Sequence, residues 1–295
     1  MSLNIVLPDH GPGWSRLGNK IFQAMVAEHF LELLQGDVLI HGCQLPGYFA
    51  TEYLAESEVD LAELQSKGVW VDLTSQNIPY DLLVRRYEMG LLAGVTVSMW
   101  GMRIQNLMNS LPRLKQYLDV ILAPISAPKV SNRELLINIR LGELATDNLY
   151  HPDYYPLPIS YYQRLVSDTG LKPVFLGQLT ASEYLLKLST TFPSAVFLEP
   201  DILPAFKAIR EAKHKALAVS SFSFLAGWTG SADSNVIMPI AGLFNPIQRP
   251  DVNFIPSSDS RFSYRYFAPA KRVEGEGLSP FLERVEATSL GFPPA

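Results

Sequence analysis

Residues 216–228 read A-L-A-V-S-S-F-S-F-L-A-G-W, an apolar run that breaks into serines and then resumes at helical spacing. Ala216 to Val219 has the composition of a buried strand in an α/β sheet. Phe222, Leu225, Ala226 and Trp228 then fall on one helical period. A strand that runs straight into a helix leaves backbone N–H groups unpaired at the helix start. Together with the positive end of the helix dipole and the hydroxyls of Ser220, Ser221 and Ser223, those donors make a site for a phosphate. The same serines are good N-caps, so capping and phosphate binding are both open at this point.

Working outward, the preceding chain repeats the alternation. Glu134 to Ile139 predicts a strand that runs into Arg140-Leu141-Gly142-Glu143. A cation at the carboxyl end of a parallel strand, followed by glycine, points into the crevice where open α/β sheets bind ligands. The planar guanidinium fork suits a diphosphate better than an ammonium does. The alternative is a surface Arg140–Glu143 turn ion pair, worth under ~1 kcal/mol. Further strands are predicted at Pro173–Leu176 and Ala195–Leu198, with helices at Tyr161–Ser167, Ala181–Leu188 and Ile202–Ala212. Between them, H-P-D-Y-Y-P-L-P-I-S-Y-Y (151–162) is either one wall of a sugar cleft or a rigid crossover.

The N-terminal half follows the same plan. Leu3–Leu7 predicts a strand, Pro8–Gly18 a glycine- and proline-rich loop, and Ile21–Leu34 a helix. Gly13 to Lys20 approaches a P-loop, but Asn19 separates Gly18 from Lys20 and Ile21 stands where a magnesium-binding Ser or Thr belongs, so it is not one. Gly11 and Gly13 have no glycine at position 16, so the dinucleotide fingerprint fails as well. Arg16, Gly18 and Asn19 remain, as a ligand-facing set or as a packing glycine and a cap. Beyond them come a strand at Val38–Gly42, a short helix at Ala62–Lys67 and a strand at Val69–Leu73. Helices at Tyr80–Leu92 and Arg103–Leu118 follow, then a strand at Val120–Leu122. Ala123-Pro124-Ile125-Ser126-Ala127-Pro128 reads as a linker.

This alternation in both halves predicts an α/β protein with two Rossmann-like domains facing a central cleft. The expected bounds are 3–128 and 129–250, with 251–295 as a tail packing back on the body. In that tail Arg261 to Phe267 mixes cations with aromatics and Leu278 to Glu286 predicts a last helix. With 295 residues, 47% of them hydrophobic and a formal net charge of -5, the composition is that of a globular chain and carries no basic footprint for nucleic acid. Cys43 is the only cysteine, and His10, His29, His41, His151 and His214 are scattered without metal-ligand spacing. No apolar run reaches the ~18 residues of a membrane span and no leader pattern opens the chain, so a cytoplasmic location is expected.

Three stretches resemble the fucosyltransferase superfamily, most of all its α-1,2-fucosyltransferases. Ser15-Arg16-Leu17-Gly18-Asn19-Lys20-Ile21-Phe22-Gln23 is similar to that group's G-R-L-G-N-Q-M-F-Q signature. Asn138-Ile139-Arg140-Leu141-Gly142-Glu143 resembles the motif H-x-R-x-G-D, and Ser220 to Trp228 resembles N-S-S-F-S-W-W-A-A-W. Leu157 to Gln163 is similar to the family's l-p-x-x-Y-Y-x segment. Order and spacing agree from Leu3 to about Pro246. Asn138, Glu143 and Phe224 depart from the motif residues, and Leu176-Gly177-Gln178-Leu179 stands where the family commonly has S-D-D.

The resemblance implies a GT-B fold and inverting, metal-independent transfer of a sugar, fucose from GDP-fucose or another GDP-sugar, to a glycan hydroxyl. It makes Arg140 the catalytic cation, places Ser221 and Ser223 on the diphosphate with Ser220 and Phe222 beside them, and sets Arg16, Gly18 and Asn19 facing the donor. No cofactor is expected besides that donor. None of the thirteen aspartates has another two residues away, so the D-x-D expected of a metal-dependent GT-A enzyme is missing. Candidate bases are Glu143, Asp147 and Asp153. Two alternatives stand beside the enzyme: a GT-B scaffold without catalysis that binds or assembles glycans, and a GT-B enzyme using another sugar nucleotide.

Overall fold

The computed structural model describes residues 2–9, 11–55, 66, 68–73, 79–97, 103–146 and 151–288. The chain divides into two compact units, Met1–Ile121 with Asp251–Phe254, and Leu122–Pro250 with Ile255–Ala295. Both are α/β, and among the described residues every strand pairing is parallel. Two such Rossmann-like units in one chain are the composition expected of a GT-B protein.

In the first unit, β1 (Leu3–Val6), β2 (Val38–His41), β3 (Trp70–Asp72) and β4 (Gly94–Thr96) form a sheet of order β2-β1-β4-β3. Helix α1 (Leu17–Leu33) connects β1 to β2. It buries Phe22, Met25 and Phe30 along with most of its other residues, and its apolar character runs all round, as in a helix covered on most sides. Phe22 meets Phe254 edge-on at 5.1 Å, which ties the returning segment 251–254 to the unit it rejoins. Helix α2 (Tyr80–Glu88) follows β3, and α3 (Leu111–Leu122) closes the stretch.

Two expectations change here. Residues 103–118 are not one helix: Ile104–Leu107 is a separate 3-10 turn. Val120–Leu122 is not a strand but the end of α3. Leu114, Leu118 and Leu122 are buried at intervals of four while Val120 is 69% exposed, so the helical period sets the conformation and not the β-branched run. The helix expected at Ala62–Lys67 lies outside the described residues.

The second unit carries six strands: β5 (Glu134–Arg140), β6 (Lys172–Gln178), β7 (Val196–Leu198), β8 (His214–Ala216), β9 (Asn235–Ile240) and β10 (Phe262–Tyr266). Their order, β10-β9-β8-β5-β6-β7, is the Rossmann order 3-2-1-4-5-6 read from the other edge. The connecting helices are α4 (Ile159–Thr169), α5 (Glu183–Thr191), α6 (Ile202–Glu211) and α7 (Ser221–Trp228), and α8 (Leu278–Thr288) is the last described helix. Residues 262–266, expected in a packing tail, are instead the sixth strand, in register with β9 from Phe262↔Val236 to Tyr266↔Ile240. The strand expected at 216–219 lies earlier, at His214–Ala216, and Leu217–Val219 is the turn into α7.

Candidate functional site

The chain runs outward from β5 through β6 to β7, crosses back to β8 on the other side of β5, and continues to β9 and β10. Right-handed crossovers place the connections after β5 and after β8 on opposite faces of the sheet. The carboxyl ends of this strand pair are the place where open α/β sheets take their ligands. Ile137 pairs with Ala216, so Arg140 ends β5 three residues beyond the pair, and Ser220 comes four residues beyond it, past the end of β8. Arg140, with Glu143 after it, and Ser220 to Ser223, which follow the neighbouring strand β8, lie along the same edge of the sheet. Arg16, Gly18 and Asn19 belong to the first unit.

Arg140 ends β5 with its side chain 28% exposed. One terminal nitrogen lies 2.6 Å from Glu143 Oε1, and the guanidinium carbon sits 5.3 Å from the centre of the Tyr154 ring. The ion pair weighed as an alternative in the sequence is thus present, and the aromatic face adds a second support. Tyr154 belongs to the segment 153–158, which is buried throughout and pinned from several sides. Asp153 accepts from Gln248 Nε2 at 2.5 Å and from Arg249 Nη1 at 3.3 Å. The Tyr155 hydroxyl accepts from the Gly242 N–H at 3.1 Å, and the Tyr184 hydroxyl donates to Leu157 O at 2.6 Å. Arg272 holds the segment's approach through Thr146 O, at 2.8 Å, and its own N–H donates to Pro152 O. The aromatic stretch is held fixed beside Arg140.

Of the candidate bases, Asp153 is buried and engaged as just described, which removes it from the surface, and Asp147 lies outside the described residues. Glu143 stays on Arg140. His151 stands beside this stretch, its ring 5.2 Å from Tyr154. Its Nδ1 accepts from the Asp153 N–H at 3.1 Å. Burial, with help from Arg249 and Lys271 and against Asp153, holds its pKa below the usual histidine value.

The serines divide in their roles. Ser220 is the N-cap of α7, its Oγ accepting from the Ser223 N–H at 3.1 Å. Ser223 is wholly buried, and its Oγ accepts from the Ala218 N–H at 3.0 Å. The Ser223 hydroxyl, expected on a diphosphate, is here an acceptor that closes the turn between β8 and α7. Phe222 packs against Phe206 of α6 at 5.2 Å and serves the core. At the helix start Ser221 is buried, the Ser223 N–H is taken by the cap, and the positive end of the α7 dipole remains for a ligand.

The opposite end of α7 is held by cations. Arg261 Nη2 donates to Trp228 O at 2.8 Å, while its Nη1 donates to Gly230 O and Ser231 O at 2.9 Å each. Arg210 Nε donates to Thr229 O at 3.1 Å. Lys215 of β8, with no exposed surface, donates to Arg210 O at 2.9 Å. Burial first, then the charges of Arg261 and Arg210, bring its pKa down to about 7 against the pull of Asp233.

The motif departures have local causes. Asn138 Nδ2 donates to Leu176 O at 2.9 Å inside the sheet, a ladder contact and not a ligand contact. Gly177 has φ 144, and a Cβ there would stand 1.9 Å from Ile139 O, so β5 and β6 approach too closely for any side chain. The Gln178 side chain lies over Gly142.

In the first unit, Arg16 is exposed and holds the left-handed region at φ 49, ψ 36, with no side-chain cap. Its carbonyl accepts from the Asn19 N–H at 2.8 Å, so the turn into α1 is made by backbone. Gly18 is buried inside α1 and Asn19 is half-buried. Lys20 turns back onto its own loop and has no phosphate-binding posture, in keeping with the rejected P-loop. Tyr154 and Arg272 were missed as site residues. Tyr154 sat inside a stretch whose composition was noticed, whereas nothing local to Arg272 marks it.

Among the described residues no three His, Cys, Asp or Glu side chains gather as a metal site would, and no helix is long and apolar enough to cross a membrane. No protein-family model matches the chain, and no curated protein matches it. Two solved structures are similar to it along most of its length. One is the E. coli heptosyltransferase WaaC with ADP, 12% identical at a TM-score of 0.43 and covering 97% of this chain and 100% of that one. The other is the glycosyl transferase family 9 protein from Veillonella parvula DSM 2008, 12% identical at 0.42 and covering 97% and 96%. The roles of individual residues rest on this chain's own geometry.

Proposed function

We propose that this chain is a glycosyltransferase that takes a sugar from a nucleoside diphosphate donor to a hydroxyl acceptor. What supports the reading is that a part-exposed arginine ends β5 and a helix N-terminus follows the neighbouring strand β8, where the second sheet reverses its winding. In such a transfer the acceptor hydroxyl gives its proton to a base or to solvent as its oxygen bonds to the anomeric carbon, the bond from that carbon to the diphosphate oxygen breaks, and the electron pair leaves as negative charge on the departing diphosphate. Arg140 receives that charge through its fork, and the positive end of the α7 dipole favours it. Donors fixed in advance for a developing charge are worth ~2.7–4 kcal/mol each in the barrier. The finer proposal, carried by the motif resemblance, is inverting transfer of fucose from GDP-fucose.

Titration calorimetry with GDP, UDP and ADP tests the reading. Saturable binding of one of them, lost in Arg140→Ala with unchanged circular dichroism, supports it. Binding of none would favour the second reading, a scaffold without catalysis. That reading draws on the Arg140–Glu143 contact at 2.6 Å and the internal use of Ser223.

A further inference from the structure

His151 opens the aromatic stretch beside Arg140, with its side chain 32% exposed. Its ring meets Tyr154 edge-on, at 5.2 Å and 79°, and the Arg140 guanidinium carbon lies 5.3 Å from the centre of the same Tyr154 ring. One phenol ring thus touches both the imidazole and the cation.

A hydrogen bond that depends on charge fixes the imidazole. Its Nδ1 accepts from the Asp153 N–H at 3.1 Å. A ring nitrogen accepts only while it carries no hydrogen, so this contact selects the neutral ring with its hydrogen on Nε2. The Asp153 peptide is clamped and cannot follow the ring. Asp153 is buried, its carbonyl accepts from the Leu243 N–H at 3.1 Å, and a Cβ on Gly242 would stand 2.2 Å from that oxygen. The ring has a second place to turn, since Asp153 Oδ2 lies 4.0 Å from Nδ1. Once Nδ1 holds a proton the carboxylate attracts it, and the clamped N–H loses its acceptor. Turning the imidazole withdraws its edge from Tyr154, the ring against which Arg140 rests. The surroundings favour the neutral form. Burial holds the His151 pKa below 6.5; Asp153 pulls the other way, and Arg249, between β9 and β10, and Lys271, between β10 and α8, add to the lowering.

We propose that His151 is a positioning residue for Arg140, which holds Tyr154 against the guanidinium while Nδ1 accepts and releases it when Nδ1 takes a proton. This role rests on the reading of Arg140 as the cation of the transfer and adds what keeps that cation in place.

NMR of the free full chain, and calorimetry with GDP, UDP and ADP, test it on the wild type, His151→Asn and His151→Ala. Asparagine puts its Oδ1 where Nδ1 stood, in the turn that accepts from the N–H two residues on, and takes up no proton. In the free wild type the Asp153 amide and Arg140 guanidinium signals are expected to move with the His151 ring as the pH falls below 6.5, and in His151→Asn to stay. The nucleotide bound at about pH 8 loses affinity on acidification to about pH 5.5, by about fivefold or more beyond its loss in His151→Asn. Both proteins meet the same ionisation of the ligand, so the difference belongs to the imidazole. His151→Ala is weakened already at the higher pH, and asparagine restores the affinity there. Urea midpoints check that each variant folds, and His151→Asn carries the test if the alanine variant does not. A histidine acting only as a nearby charge gives the opposite slope, tighter binding of an anion on acidification, and that result would overturn the proposal. So would equal slopes in the wild type and His151→Asn, or a folded His151→Ala that binds like the wild type throughout. If no nucleotide binds, the transferase reading fails, and the Arg140 signal decides alone: one that ignores the His151 titration overturns the positioning role, and one that follows it supports it.

Discussion

Arg140 is held by Glu143 on one side and the Tyr154 ring on the other, with a little over a quarter of its side chain in water. The carboxylate aims the fork and also adds a negative charge beside any diphosphate that arrives. Glu143→Gln is therefore expected to tighten binding of the nucleoside diphosphate about three- to tenfold, roughly 1 kcal/mol, an effect that shrinks at high salt. Unchanged affinity at low salt would show that Glu143 stays clear of the ligand. Lys215 presents the opposite situation, a cation with no water and one carbonyl partner. Its folded pKa, about 7, lies below its usual 10.5, so between those values the unfolded chain binds more protons and stability rises with pH. The penalty is complete below about 7 and is relieved on the way to 10.5. Lys215→Met should thus gain stability over the wild type at pH 6.5 by a margin, of the order of a few kcal/mol at most, that narrows by pH 9. Urea midpoints of both proteins at the two pH values check this, and a margin independent of pH would show that the buried amine does not titrate. The two roles differ in how far the sequence shows them: Arg140 stands out because it ends a strand before glycine, whereas Lys215 looks like any lysine until folding brings Arg210 and Arg261 beside it.

Helix α7 has only eight residues, and both of its ends are tied by side chains. Ser220→Ala should cost about 1 kcal/mol through the lost cap. Ser223→Ala should cost about 1–3 kcal/mol by leaving the buried Ala218 N–H without its acceptor. A pattern in which Ser223→Ala alters binding but not stability would reverse the division of roles drawn from the hydrogen bonds. This stretch marks the limit of what sequence discloses about an element. The apolar–serine–apolar pattern announced a turn into a helix at the carboxyl edge of a sheet, and that turn is there. Which hydroxyl faces inward depends on where the strand stops. β8 ends at Ala216 and not Val219, which gives the turn the three residues that Ser223 then closes. At α3 the reverse held: a short β-branched run suggested a strand, and only burial of every fourth residue shows the helix carrying on.

At the scale of the molecule, the second unit owes its completeness to a segment more than a hundred residues after its first strand. F-S-Y-R-Y alternates in a way that suits an edge strand, half covered and half in water. Parallel pairing has no local turn to announce it, so the partner, β9, is found only by folding. The unit begins as firmly as it ends, because Lys207 of α6 donates to Leu122 O and Ile125 O at 2.9 and 2.8 Å. Only residues 251–254 leave it, returning to the first unit before β10 begins. Residues 122–295 therefore contain a whole Rossmann sheet, both ends of α7 and every group that supports Arg140. Expressed alone, this piece is expected to unfold cooperatively in urea and to bind the same nucleoside diphosphate as the full chain within about tenfold. Residues 122–250 lack β10, which leaves β9 unpaired along one edge, and also Arg261, which leaves the carbonyls at the end of α7 without their donor. That shorter piece should fail to fold. If instead it unfolds cooperatively and binds as well as 122–295, the sixth strand is an accessory, and the support of α7 by Arg261 has no bearing on the site.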